Sequence, residues 1–321
     1  MRLQTILAVL SGLALPGVAS AADLFRDDVR TVLRSETLSV EVLAGYVGGT
    51  STEYVYDSRT GRKLSQLNWD VASAAAVGGR VAFRPLDWLT VRARGWGTVA
   101  ADSKMRDYDW LGTGYYGFNS YTDISVHPDT VTPQLWQGDA SVAVSLWQDG
   151  ELSLSAIGGY RFYQAKFDAR GGSFLYSVNG FRDSFGLFPS GQSGVIYKQS
   201  WNTPYLGVGV AYSAGDWMMS GELIGSPFVF SNTEDNHPLR PLNIKGKAEM
   251  SSMIGVNTAL EYRLTDTLSG VGRFEYQHYS EAKGRARYAD PSTGEIFYNP
   301  KPFSAAAAET YLLSVGIKAR L

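Results

Sequence analysis

The stretch YLLSVGIKARL, residues 311–321, decides the fold class of this chain. Its apolar side chains, among them Leu313, Val315 and Ile317, alternate with serine, glycine, lysine and arginine. Successive side chains of a β-strand point to opposite faces, so the stretch has one apolar face and one polar face. The segment Leu38–Tyr46 repeats the pattern near the other end of the chain. This period of two predicts β-strands at both ends.

Candidate strands with this alternation recur along the whole chain and run about ten residues or more. Such lengths exceed those of most strands in soluble proteins and suit a tilted crossing of a bilayer. Tight turns and long polar segments alternate between them, which is typical of bacterial outer-membrane barrels. We therefore predict an all-β fold, an antiparallel transmembrane β-barrel of about ten strands with long extracellular loops. The candidate strands are residues 36–48, 62–84, 88–101, 134–148, 151–167, 195–214, 216–229, 247–264, 268–285 and 307–321, and the expected outer segments are 49–61, 102–133, 168–194, 230–246 and 286–306.

The first residues predict a signal peptide for export. Arg2 supplies a positive charge, residues 5–15 are largely apolar, and Ala19–Ala21 forms an A-x-A cleavage site. The apolar run is too short to span a bilayer as a helix. We expect a signal peptide at residues 1–21, followed by a single outer-membrane barrel domain at residues 22–321.

The composition excludes several classes of function. The chain has no cysteine, which excludes disulfides, cysteine-based zinc sites and a thiol nucleophile. Its net charge of −2, with both signs evenly mixed, does not suggest a nucleic-acid partner. Tryptophan recurs near predicted strand ends, where the membrane interfaces of a barrel carry aromatic girdles. The candidate girdle residues are Trp69, Trp88, Trp96, Trp136, Trp147, Trp201 and Trp217.

Two pairs of ionisable side chains stand two residues apart in the expected outer segments. They are Asp107 with Asp109, and Asp235 with His237. If a strand continues through these segments, both members of each pair point to the same face. Two close carboxylates can share a proton and orient a water, and a carboxylate beside a histidine lets the imidazole act as a general base. Neither pattern is specific by itself, because a solvated turn also carries such spacings.

Other catalytic arrangements have weaker support. There is no H-E-x-x-H motif, and three scattered histidines do not predict a zinc site, so we expect no metal. No G-x-S-x-G elbow, P-loop or dinucleotide fingerprint is found in a plausible context. A serine nucleophile stays open, because Ser125 lies near Asp123 and His127. A loop serine that makes local hydrogen bonds is the simpler interpretation of the same residues.

Longer motifs carry a family resemblance over nearly the whole mature length. The chain resembles the omptins, outer-membrane aspartyl-type proteases of Gram-negative bacteria. The segment YTDISVHPDT at residues 121–130 is similar to the family's W-T-D-x-S-x-H-P-x-T signature, with Tyr121 in place of tryptophan. The other matching segments are GRKLSQLNW at 61–69, ARGGS at 169–173, GFRD at 180–183, FP at 188–189 and YKQ at 197–199.

The resemblance implies roles for the two pairs. Asp107 and Asp109 match the family's catalytic aspartate pair, and Asp235 and His237 match its Asp–His dyad. The family is thought to hold a water between them, with the histidine as general base and the neighbouring aspartate orienting it. Ser125 matches a serine once suspected as the nucleophile, and we expect a supporting role for it.

The resemblance also implies a preference for cutting between basic residues. Glu53 matches the acidic residue that receives the basic side chain before the scissile bond, and Met105 matches a residue lining that pocket. Asp123 matches an acidic residue that attracts the basic side chain after the bond. The family's second acidic pocket residue falls at Thr233, and the neighbouring Glu234 would point to the opposite face. This departure predicts a weaker preference for Arg or Lys.

Omptins need lipopolysaccharide for activity, bound on the outer barrel wall, and Tyr160 matches one of the binding residues. The neighbouring residues depart from the family pattern, so dependence on lipopolysaccharide stays open; no other cofactor is expected. The leading hypothesis is an outer-membrane endopeptidase whose site faces the exterior and acts on extracellular peptides and proteins. The alternatives are a catalytically silent barrel acting as an adhesin or structural protein, and a diffusion porin. A barrel of about ten strands is filled by its own side chains, which argues against the porin.

Overall fold

A computed structural model describes residues 37–112, 117–248 and 250–321, and most of them lie in β-strands. The predicted signal peptide, residues 1–21, lies outside the described residues. Within the described part of the chain, no helix is long and apolar enough to cross a membrane. A 3-10 turn spans Phe118–Ser120. The strands are β1 (Leu38–Tyr56), β2 (Lys63–Leu86), β3 (Leu89–Asp109), β4 (Asp123–Asp149), β5 (Leu152–Arg170), β6 (Ser173–Tyr176), β7 (Ser184–Leu187), β8 (Ser193–Ala214), β9 (Trp217–Ser226), β10 (Phe230–His237), β11 (Leu242–Ala248), β12 (Met253–Arg263), β13 (Leu268–Ala289) and β14 (Ile296–Arg320).

The strands close into an antiparallel ring. β1 pairs with β14 along its length, which joins the first wall strand to the last. Chain neighbours pair from β1 through β5, and β5 then pairs with β8. The next wall strand consists of two successive segments, β9 and β10, which both pair with β8. The following wall strand also consists of two segments. Of these, β12 pairs with β9, β11 pairs with β10, and both pair with β13. The predicted barrel of about ten strands is confirmed.

The two ends of the barrel differ. At one end, called here the turn end, tight turns join β2 to β3, β4 to β5 and β8 to β9. β1 begins at this end and β14 finishes there. The other end, called the loop end, carries the longer connections and the β6–β7 hairpin, which pairs with the upper part of β4. In bacterial outer-membrane barrels the short turns face the periplasm.

The strands extend well beyond their predicted bounds. β1 continues to Tyr56, β3 continues to Asp109, and β4 begins at Asp123, so strands occupy much of the segments expected to be loops. These extensions keep regular pairing, as between Glu53 and Leu67. They lack the apolar alternation because their outer face meets water above the membrane and carries polar side chains.

The outer wall carries an apolar belt toward the turn end. Val42 is 64% exposed, Leu206 is 75% exposed and Val315 is 69% exposed. Such exposure suits a wall in contact with hydrocarbon, where the closed barrel satisfies the backbone hydrogen bonds. The belt comprises Val42, Val77, Val81, Val91, Val142, Leu154, Leu206, Val208, Leu223, Ile254, Leu260, Phe274, Leu313, Val315 and Ile317.

The girdle prediction holds for only some of the tryptophans. Exposed rings outside the barrel belong to Trp88, Trp136, Trp147 and Trp217. By contrast, Trp69, Trp96 and Trp201 are buried inside, so their assignment to a girdle was wrong. A shift of one residue along a strand reverses the face that a side chain occupies, and proximity to a strand end does not reveal this parity.

An aromatic layer crosses the barrel interior below the loop end. The Trp69 ring stacks on Phe167 and on Tyr197, with 5.4 Å between ring centroids in both pairs. The Trp201 ring stacks on Tyr279 at 4.7 Å. All of these side chains are fully buried. We call these five residues the aromatic floor, because the candidate site lies above them and a charged interior lies below.

Candidate active site

β3 carries the predicted aspartate pair at its upper end. Asp107 and Asp109 are both half-buried and line the same cleft, because alternate residues of a strand share a face. Ser65 of β2 donates a hydrogen bond from its hydroxyl to Oδ1 of Asp107 at 3.0 Å. The strand extension therefore places two carboxylates side by side, and a neighbouring hydroxyl holds one of them.

β10 carries the predicted Asp–His dyad. His237 Nε2 lies 2.7 Å from Asp235 Oδ2. An ionised carboxylate only accepts hydrogen bonds, so this contact assigns the ring proton to Nε2 and leaves Nδ1 as the basic atom. Nη2 of Arg240 lies 3.4 Å from that Nδ1. The imidazole is thus oriented by the carboxylate on one side and approached by a guanidinium on the other.

The aspartate pair and the histidine face one cleft at the loop end, although they lie on separate parts of the wall. The cleft has a volume of about 230 Å³. Its lining combines carboxylates, imidazoles, a phenol and a guanidinium with a few apolar side chains. The lining residues are Asp107, Asp109, Ser125, His127, Tyr176, Phe188, Gly194, Val195, His237, Leu239 and Arg240.

Crowding of carboxylates shifts their ionisation. Burial raises the pKa of Asp107 well above its usual range, and the charges of Asp109 and Asp235 raise it further. Burial also raises the pKa of Asp109 to about 6, and Asp123 adds to the rise. The guanidinium of Arg240 opposes both shifts. The pair therefore holds a proton at pH values where exposed aspartates are fully ionised.

A second histidine lies in the same cleft. His127 Nε2 lies 3.2 Å from Ser125 Oγ, and its ring stacks on Phe188 with 4.8 Å between centroids. Burial lowers the pKa of His127, which favours the neutral imidazole. Asp123 accepts a hydrogen bond from the Ser177 amide at 2.9 Å. Among the described residues, no hydrogen bond joins Asp123 to His127. The three residues named by the serine alternative therefore do not form a Ser–His–Asp relay.

Glu53 lies on β1, inside the barrel and only 3% exposed. Its Oε2 is buried without a hydrogen-bond partner among the described residues. Burial raises its pKa well above the usual range, and the nearby Asp235 and Asp107 raise it further. Burial raises the pKa of Tyr288 to about 12, and the charges of Glu53 and Asp235 contribute to the rise. Glu53 is thus a buried acid with no protein cation bound to its free oxygen.

The position that departs from the family, Thr233, also faces the barrel interior. This residue is 8% exposed and lies two residues before Asp235 on β10. Glu234 points outward with its side chain 53% exposed, and its Oε1 lies 3.7 Å from Lys245 Nζ. Glu234 therefore cannot replace the missing interior carboxylate, as the period of two predicts.

The other predicted binding residues, Met105, Asp123 and Tyr160, lie in three different parts of the barrel. Met105 is fully buried in the apolar core, and Trp69 and His127 are its partners on the neighbouring strands. Asp123 fastens the chain after β6 through its hydrogen bond to Ser177. Tyr160 is 47% exposed on the outer wall, and its hydroxyl donates to Asn202 at 2.7 Å. The structure thus brings Asp123 close to the cleft but separates Met105 and Tyr160 from it.

Two cleft residues were missed by sequence reasoning. Arg240 follows His237 by only three residues, and a cation so close to a candidate base was an available signal. Tyr176 lies on β6 and reaches the cleft because β6 pairs with β4, which no local pattern reveals. Burial raises the pKa of Tyr176 to about 12, and Asp107 and Asp109 contribute.

The described residues contain no group of three or more His, Asp or Glu side chains that could hold a metal ion. Carboxylates and imidazoles are among the groups that line the cleft. A water hydrogen-bonded between a basic imidazole nitrogen and a partly protonated aspartate pair is the species that this arrangement could activate.

Comparison with known proteins agrees with this architecture. A sequence model of the Omptin family matches residues 34–321. The chain is 28% identical over 317 residues to the plasminogen activator of Yersinia pestis, covering 98% of this chain and 97% of the relative. It is 29% identical over 305 residues to the outer membrane protease OmpP of Escherichia coli K12, covering 94% and 93%. The crystal structure of the outer membrane protease OmpT from Escherichia coli matches with a TM-score of 0.84 at 26% identity, covering 89% of this chain and 97% of that chain. This chain is a β-barrel of the Gram-negative outer membrane, and it belongs to the omptin family of proteases.

Proposed function

We propose that this protein is an endopeptidase that hydrolyses extracellular peptides and proteins with a water activated by His237. The observation that carries the proposal is the 2.7 Å contact between His237 and Asp235, facing Asp107 and Asp109 across one cleft. Because the short turns of such barrels face the periplasm, a cleft at the loop end opens to the exterior.

In the proposed reaction, His237 Nδ1 takes a proton from the water as the water attacks the scissile carbonyl carbon. Asp235 holds the imidazole and stabilises the imidazolium that forms. Asp107 and Asp109 orient the water, and the proton that they share supplies a hydrogen bond to the developing oxyanion. The imidazolium then returns its proton to the leaving amine, which restores the base. Arg240 opposes the pKa rise of both aspartates and so favours their ionised forms.

The proposed specificity is for a basic residue before the scissile bond. Glu53 offers a buried carboxylate oxygen without a protein partner, and a guanidinium or ammonium group from the substrate would supply one. Thr233 adds no second charge, so we expect neutral residues to be accepted more readily than in relatives with two acids. Asp123 contributes negative potential near the residue after the bond.

Lipopolysaccharide is the proposed lipid partner of the outer wall. Tyr160 is exposed there, at the level where the apolar belt gives way to the polar upper strands. Its hydroxyl is already engaged with Asn202, so its contact with a lipid would use mainly the ring. We propose that lipopolysaccharide acts through the wall on the shape of the cleft, with no contact to the reacting atoms.

Incubation of refolded protein with a library of dibasic peptides, with and without lipopolysaccharide, tests the proposal. Cleavage after basic residues is expected, and His237→Ala should reduce its rate at least ~10²-fold. His278→Ala is a matched control, because His278 lies on the outer wall with its side chain 44% exposed. An inert wild-type protein, correctly folded in both conditions, would favour the silent barrel instead.

A further inference from the structure

Below the aromatic floor, the barrel interior contains a second large cavity. It has a volume of about 190 Å³ and adjoins another cavity of about 170 Å³ at the turn end. The two cavities share Ser39, Ala82 and Lys318 in their linings, so the interior is accessible from that end. The charged residues that line the larger cavity are Glu41, Arg80, Arg92, Glu222, Glu261, Arg273 and Lys318.

The carboxylates of this cavity are already paired. Glu41 accepts two hydrogen bonds from Arg273, at 2.6 and 2.5 Å. Glu261 accepts hydrogen bonds from Lys318 at 2.8 Å and from Arg320 at 2.5 Å. Each acid lining the cavity therefore has at least one cation of its own, and Glu222 is likewise bound by a guanidinium.

Arg80 has no such partner. Its closest carboxylate atom is Oε1 of Glu275, 3.8 Å from Nη2, which is too long for a hydrogen bond. That same oxygen lies 3.6 Å from Arg94. The Arg80 side chain is only 14% exposed, and no hydrogen bond from it to a described residue is found. A guanidinium with five N–H donors thus faces the cavity without a hydrogen bond to the described part of the chain.

Arg92 adds a second cation to the lining of the same cavity. Its Nη1 binds Glu222, but its Nε is buried without a hydrogen-bond partner in the described part of the chain. The hydroxyl-bearing side chains Ser153, Ser155 and Ser220 also line the space. Donors therefore surround the cavity on several walls, since these residues come from β2, β3, β5 and β9.

The ionic network is also unbalanced. Among the described residues, seven cations of the lower interior form ion pairs with only five carboxylates. Buried charge without compensation is costly, so an interior with excess cations favours a bound anion. The cations are Arg80, Arg92, Arg94, Arg161, Arg273, Lys318 and Arg320, and the carboxylates are Glu41, Asp139, Glu222, Glu261 and Glu275.

We propose that this cavity binds a small tetrahedral oxyanion of the phosphate or sulfate type, with Arg80 as its principal ligand. The planar fork of a guanidinium matches two oxygens of such an ion, and the serine hydroxyls of the lining can donate to the others. The aromatic floor separates the cavity from the candidate active site. The anion therefore stabilises the barrel from the periplasmic side and takes no part in peptide hydrolysis.

Equilibrium dialysis of the detergent-solubilised barrel against radiolabelled inorganic phosphate, at constant ionic strength set with sodium chloride, tests the site. The wild-type protein should bind about one phosphate per barrel, and phosphate should raise its unfolding temperature saturably by about 3 °C or more. Arg80→Gln should lose both effects. Arg263→Gln, an equal charge change at the exposed turn end, should keep both.

Arg80→Lys keeps the proposal testable if Arg80→Gln does not fold. It retains the charge but lacks the fork, and should weaken phosphate binding about tenfold. No binding by the wild-type protein would overturn the proposal. So would equal binding by wild-type and Arg80→Gln barrels, or a stabilisation that chloride alone reproduces.

Discussion

Replacement of Asp109 by asparagine should raise stability while it removes activity. Asparagine keeps the shape of the side chain but cannot ionise, so it removes the cost of a charged group in this crowded cleft. Burial, the main cause, raises the pKa of Asp109 from 3.8 to about 6. At about 1.36 kcal/mol for each pKa unit, the native state at pH 8 is destabilised by about 3 kcal/mol.

The pH dependence has a definite sign. A carboxyl group with a raised folded-state pKa binds its proton more tightly in the native state than in the unfolded state. Its destabilising effect is absent below about pH 4, grows as the pH rises through the window to about 6, and is fully present above it. Asp109→Asn should therefore gain about 3 kcal/mol at pH 8 and little or nothing at pH 3.5.

Urea unfolding of the detergent-solubilised barrel, followed by tryptophan fluorescence at both pH values, measures the gain. Asp266→Asn is the control, because Asp266 is an exposed turn residue at the other end and should change nothing. A peptide cleavage assay on the same samples should show a loss of at least ~10²-fold for Asp109→Asn only. A variant that is no more stable than wild type at pH 8 would refute the reasoning about burial.

The remaining predictions concern specificity, the interior and the chemistry. Glu53→Ala should largely abolish the preference for Arg over Gln before the scissile bond, and Thr233→Asp should sharpen that preference by about one to two decades. The preference is measured as the ratio of kcat/KM on two peptides that differ only at this residue. An unchanged ratio in Glu53→Ala would show that the pocket is misassigned. Arg161→Gln should remove the buried ion pair in which Arg161 Nε lies 2.9 Å from Asp139 Oδ2. The free energy of unfolding, measured from urea midpoints, should fall by about 3 kcal/mol. Chelators and thiol reagents should leave the cleavage rate unchanged, whereas EDTA inhibition reversed by zinc would contradict the water–histidine mechanism.

Much of the fold was predictable because the membrane imposes a pattern on the strands. Residues such as Leu313 and Val315 must face hydrocarbon while their neighbours face a polar interior, and this alternation is visible along the chain. Where the strands leave the membrane, the pattern ends although the strands do not. The upper part of β1 around Glu53 was therefore assigned to a loop, and only pairing with β2 and β14 shows it to be wall.

The candidate site was predictable in its parts. The spacing of two places Asp107 beside Asp109, and Asp235 beside His237, on any strand that passes through them. The resemblance to omptins supplied the suggestion that the two pairs act together. Residues that reach the cleft by distant pairing, such as Tyr176 on the β6–β7 hairpin, left no signal in the chain.

The sequence by itself determined the barrel, because period-two alternation is a local property that each strand carries independently. Only the tertiary structure decided that His237 and the aspartate pair share one cleft, and that Met105 lies beneath it in the core. Only the tertiary structure left Arg80 without a carboxylate at hydrogen-bond distance. These features depend on which wall strands face each other across the closed interior, and that arrangement comes from the closure of the whole ring.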